Sequence, residues 1–138
     1  MFSTMKEAQD ATVLTIAKLI PEEWERVVVN FEMEEEEDGG VTHDVLAFYI
    51  VKKQAGGFSD KELKLTDELQ AAFTELNRAS LKTNKQYWTT CDLVLDSNGK
   101  YEMKFSYEPP KRINGILDED SYYRFGKKYL EEYTASRK

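Results

Sequence analysis

The sequence predicts an α+β domain: an antiparallel four-stranded sheet packed against helices, in the order α-β-β-α-β-β-α. Three observations predict it. Apolar residues recur at helical spacing near the start, the middle and the end of the chain. Between those stretches they alternate, as half-buried strands require. Glycine-bearing turns then divide the alternating stretches into two hairpins with a helix between them.

The first helix opens at Thr4, which forms a capping box with Glu7, and Val13, Ile16, Ala17 and Ile20 repeat along it. Pro21 has no amide proton to continue the ladder, so the helix ends near Ile20. Trp24 to Met33 alternates, with Val27, Val29, Phe31 and Met33 on one face, and reads as the first strand. Glu34 to Gly40 is a turn made permissive by Gly39 and Gly40. Val45 to Val51 is apolar on both faces, which suits a central strand covered on both sides or one reaching a helix edge. Gly56 and Gly57 break the chain again. Ser59 with Glu62, or Thr66 a little later, caps a second helix whose stripe is Leu69, Ala72, Phe73 and Leu76.

The second hairpin, Tyr87 to Tyr107, can be assigned a register. A two-residue Asn98-Gly99 turn would set Leu93 against Lys104 and cross apolar with polar faces. A three-residue loop, Ser97-Asn98-Gly99, pairs Leu95 with Tyr101, Leu93 with Met103 and Cys91 with Phe105. Its last position wants a left-handed residue, which Gly99 supplies without a Cβ clash. Pro109 and Pro110 end the last strand, and Asp118 or Ser121 caps a short helix carrying Tyr122, Phe125, Tyr129 and Tyr133. No linker divides residues 1–138, so one domain is expected.

Composition narrows the function classes. Hydrophobic content of 41% with 12% aromatics excludes wholesale disorder. The single cysteine, Cys91, makes no internal disulfide and suits a reducing compartment; on an inward strand face it reads as a buried thiol rather than a nucleophile. The start of the chain has no basic residues leading into an apolar run, and Val45–Val51 is too short to span a bilayer, so a cytoplasmic protein with no membrane partner is expected.

The formal charge of −7 is not spread evenly. From Val27 to Val51 there is no Lys or Arg, while Glu32, Glu34, Glu35, Glu36, Glu37, Asp38 and Asp44 all fall in that window. The rest of the chain balances acids against bases. Nucleic acid is therefore a poor partner, and a cationic protein surface a good one. A solvated hairpin tip that merely aids solubility stands level with it.

Catalytic patterns are sparse. His43, the only histidine, follows the acidic turn beside Asp44 and reads as a solvated turn residue. The carboxylates of the turn would sit in water, not in the shaped pocket that general acid catalysis needs. Four consecutive glutamates lack the alternation of a calcium loop. No metal site, cofactor fingerprint or catalytic residue is assigned.

Several stretches together resemble the YezG-like family of bacterial immunity proteins. They are Ile20-Pro21-Glu22-Glu23-Trp24, Phe48-Tyr49, the helix with Leu69, Phe73 and Leu76, Trp88-Thr89, Gly99-Lys100 leading to Phe105-Ser106-Tyr107, and Tyr122-Tyr123-Arg124-Phe125-Gly126. The similarity spans nearly the whole chain and departs from the family pattern at Glu108-Pro109-Pro110 and at the acidic first turn. The resemblance implies an α+β protein that binds and neutralises a secreted bacterial toxin, often a nuclease, without catalysis or cofactor. The expected partner is a cognate toxin with a basic surface, met by Glu32, Glu34, Glu35, Glu36, Glu37, Asp38 and Asp44. The alternative is a small acidic adaptor domain of a regulatory complex. Trp24 and Trp88, at strand starts, read as core packing ahead of partner contact. The oligomeric state stays open.

Overall fold

In the computed structural model, which describes residues 4–137 and only the backbone of 120 and 121, a single antiparallel sheet carries three helices. Helix α1 (Met5–Leu19) is capped by Thr4, whose hydroxyl accepts the Glu7 amide at 3.1 Å, and Ile20 leaves the helix just before Pro21. Strands β1 (Arg26–Glu35) and β2 (Val41–Lys52) form the first hairpin, and β4 (Thr90–Asp96) and β5 (Tyr101–Ser106) the second. Helix α2 (Asp67–Asn84) lies between them in sequence, with Thr66 as its cap.

The sheet has five strands, not four. Strand β3 (Phe58–Glu62) pairs antiparallel with β2, so the sheet runs β3-β2-β1-β4-β5 and the element order gains a strand. Ser59 and Glu62, expected to cap α2, lie inside β3; the cap is Thr66 alone. The segment Phe58-Ser59-Asp60-Lys61-Glu62 has one apolar side chain, so alternation could not reveal it. Its pairing is imposed by the exposed edge of β2 and by Phe58, whose ring meets Tyr133 edge-on at 5.0 Å.

The second hairpin follows the derived register: Leu95 faces Tyr101, Leu93 faces Met103 and Cys91 faces Phe105. Gly99 closes the loop at φ +92°. The other two hairpins use the same device. In each, the first residue's amide and the fifth residue's carbonyl close the loop, at Glu36–Gly40, Lys53–Gly57 and Asp96–Lys100, and the fourth residue is a glycine at positive φ.

Two apolar layers flank the sheet. On one face Val27, Val29, Phe31, Tyr49, Val51, Cys91, Leu93 and Leu95 pack against Ala8 and Ile16 of α1 and Leu69, Phe73 and Leu76 of α2. Phe73 stacks on Phe31 at 4.5 Å, and fully burying each such side chain contributes about 2 kcal/mol. Ala17, expected on the α1 stripe, is exposed; Thr12 takes an inward position instead and returns its hydroxyl proton to the Ala8 carbonyl at 2.8 Å. On the other face Val28, Phe48 and Ile50 meet Phe125 and Tyr133 of α3 (Phe125–Ser136), which explains why β2 is apolar on both sides. Gly126 lets α3 come close, since a Cβ there would sit 3.2 Å from the Asp60 carboxylate. A π-helical turn over Glu119–Tyr123 leads into α3, and Arg124 occupies its N-cap without a side-chain bond. Of the two expected caps, Asp118 directly precedes the π-helical turn rather than α3, and the Ser121 side chain lies outside the described residues.

Candidate functional site

The first hairpin ends in a tight acidic tip. Glu36 donates its amide to Gly40 at 2.7 Å, Gly39 donates to Glu36 at 3.0 Å, and the Asp38 carboxylate accepts the Gly40 amide at 2.9 Å. Thr42 donates its hydroxyl to Glu36 at 2.6 Å. Glu35, Glu36, Glu37 and Asp38 are exposed, while Glu34 is half-buried and accepts from the Asn114 amide at 3.1 Å. Among the described residues no salt bridge reaches any of these five. Water is their solvent, as the cost of burying unpaired carboxylates requires.

Glu32 and Asp44 are placed differently. They sit opposite each other across the β1–β2 ladder, and like charges directly opposed would push the strands apart. Arg112 resolves this by folding between them. Its side chain, 2% exposed, pairs with Glu32 at 3.2 Å and with Asp44, and it also donates to the Asn30 side chain and, at 3.0 Å, to the Asn30 carbonyl. Asn30 in turn donates to Asp92. Glu32, 3% exposed at its side chain, also accepts the backbone amides of Arg112 and Ile113 at 3.3 and 3.0 Å. The seven acidic residues therefore divide into five at a solvated tip and two at its base, held to one arginine.

Arg112 was not legible as a partner from its own neighbourhood. In β1 the second face, Arg26, Val28, Asn30, Glu32 and Glu34, is polar apart from Val28 and reads as an ordinary solvent face, so nothing in it signalled that Asn30 and Glu32 would be covered by a distant arginine.

His43 lies within β2, not in the turn; its half-buried ring stacks 5.9 Å from Phe31. Cys91 is fully buried, and burial pushes its thiol well above the ordinary value, so it is no ready nucleophile. Trp88 is 1% exposed and edge-on to Phe31, while Trp24 packs half-buried on the same core. Asn77 of α2 clasps the Trp88 backbone from both sides, accepting its amide and donating to its carbonyl, each at 2.9 Å. The Trp88 indole N–H is the one buried side-chain donor without an acceptor among the described residues.

Beside the tip, a groove of about 520 Å³ separates the hairpin end from α2. Met33, Val41, Tyr87 and Trp88 give it an apolar lining, with Glu34 and Glu35 on the hairpin side and Arg78 on the helix side. Nothing in the sequence joined Val41 to Tyr87; only the sheet brings them to one wall. Among the described residues no group of His, Cys, Asp and Glu is arranged to hold a metal ion, and no helix is long and apolar enough to cross a membrane.

No curated protein matches the chain. The family model described as "Immunity protein YezG-like" matches residues 9–133.

Proposed function

The chain belongs to the YezG-like family of immunity proteins, and from that premise we propose that it binds and neutralises a cognate secreted bacterial toxin without catalysis. The observation that carries the partner's chemistry is the solvated tip, Glu34 to Asp38, which no cation of the described chain offsets. Five carboxylates, two at the end of β1 and three in the adjoining turn, present a local charge that a nucleic-acid-binding surface accepts in place of phosphate. The toxin is read as a nuclease, its basic face as the target, and the cytoplasm as the place of encounter. Glu32 and Asp44 support that surface from below through Arg112.

Exposed charges act on encounter more than on final affinity. The test uses the toxin domain that co-purifies with this chain from its native host, identified by mass spectrometry and purified in catalytically inactivated form. Replacing Glu34, Glu35, Glu36 and Glu37 together with Gln slows association several-fold at low salt, and the difference shrinks as salt shortens the screening length to about 10 Å near 0.1 M. Unchanged association at low salt would return the tip to a solubility role. Failure of the unaltered chain to bind that domain, or to protect cells expressing its active form, would overturn the immunity reading.

A further inference from the structure

An acidic tip can draw a cationic protein in, but exposed ion pairs contribute little to holding it. Affinity in protein interfaces comes from a few apolar or aromatic anchors that fill a pocket away from water. The groove between the tip and α2 offers such a pocket. At about 520 Å³ it falls in the range of cavities that enclose small ligands, about 300–1,000 Å³. Val41 and Tyr87, 55% and 41% exposed, leave apolar surface open to water in its walls. Trp88, whose indole N–H finds no acceptor among the described residues, belongs to the same lining.

Charge selects the occupant. Glu34 and Glu35 line the groove and Glu36, Glu37 and Asp38 follow in the adjoining turn, whereas Arg78, the one base of the lining, is already paired with Glu75 at 2.5 Å. A second copy of this chain, itself at −7, would bring like charge to that rim, and an anionic lipid surface would be repelled. A lysine- or arginine-rich protein segment meets both the rim and the lining.

We propose that this groove is the anchor site for the toxin, taking one apolar side chain from a cationic segment whose flanking charges pair with the acidic tip. The inference rests on the immunity reading and assigns the residence of the complex to Val41 and Tyr87, the exposed walls, with Met33 and Trp88 as the buried floor behind them, leaving its encounter rate to the tip.

Val41→Asp separates the two contributions. It makes the tip more acidic, so a purely electrostatic contact gains from it, while an apolar anchor site loses. Tyr87→Ala tests the opposite wall without changing charge. Both side chains are exposed, and unchanged melting of each variant confirms that the fold survives. Binding of the same inactivated toxin domain is followed by stopped-flow. The expected result is dissociation about tenfold faster in each groove variant with association little altered, the mirror image of the four-Gln variant. Dissociation unchanged in both, with the unaltered chain binding tightly, overturns the groove while leaving the immunity function in place. No binding by the unaltered chain overturns both. A concentration-dependent dimer of the free chain that Val41→Asp disperses assigns the groove to a second copy and overturns the proposal.

Discussion

Replacing Arg112 with Met removes the only cation that pairs with Glu32 and Asp44 among the described residues, while keeping an unbranched side chain. The loss can be worked from the cluster. Breaking a buried ion pair by deleting one partner costs about 3–5 kcal/mol, because the other charge is left unpaired. Two features pull the value down. Asp44 is 47% exposed at its side chain and regains water, and Glu32 keeps two backbone amides from the Arg112 segment. Against that, the loop after β5 loses its grip on Asn30, and Asn30 loses a donor. About 3 kcal/mol is the expected loss. Unfolding entropy of about 2.1 cal/mol/K per residue gives roughly 0.3 kcal/mol per kelvin for 138 residues, so the melting midpoint falls by about 10 °C. Calorimetry on the variant reads this directly. Adding Glu32→Gln removes the stranded charge and should recover at least about 1 kcal/mol, a non-additivity that distant sites do not show. A midpoint within about 3 °C of the unaltered chain, or a double variant as unstable as the sum of its parts, would refute the clamp.

The loop between β4 and β5 gives a second test. Gly99 stands at φ +92° with open space where a Cβ would go, so Gly99→Val is penalised by its backbone alone, by about 1–2 kcal/mol in a thermal melt; no change would remove strain from the account of that loop. Cys91 is fully buried with its thiol pushed up by desolvation, so iodoacetamide at mildly alkaline pH labels it only as fast as the sheet opens. Labelling at the rate of a free thiol would contradict that burial, and the Arg112→Met variant should label faster than the unaltered chain.

The second hairpin was readable to the residue because two constraints agreed: alternation on both arms, and a glycine at the one loop position that needs positive φ. The cap Thr4 was readable, and Thr66 as one of two candidates, because capping is a local bond. Strand β3 was not, since its partner edge, not its own side chains, makes it a strand. The acidic window showed the same limit. Counting charges along the chain treated Glu32 and Asp44 as equals of Glu36, yet their fate depended on an arginine 80 positions beyond Glu32. Residues that act through their sequence neighbours were legible; residues that act through the fold's long returns, Arg112, Tyr87 and Val41 among them, were not.

The strand order has a kinetic consequence. Strands β1, β2 and β3 form a meander that closes through short loops, whereas β1 reaches β4 only by bringing together residues such as Arg26 and Asp96, 70 positions apart. Local pairings form first, because closing the longer loop costs more entropy before it returns any contact. Until β4 docks, the inner edge of β1 stands open, and Val27, Val28 and Val29 alongside it are apolar on both faces. An unpaired apolar edge is a template for any other chain in the same state. In the finished sheet β4 seals that edge, so the hazard belongs to the interval of synthesis and refolding, and it grows with the concentration of newly made chains.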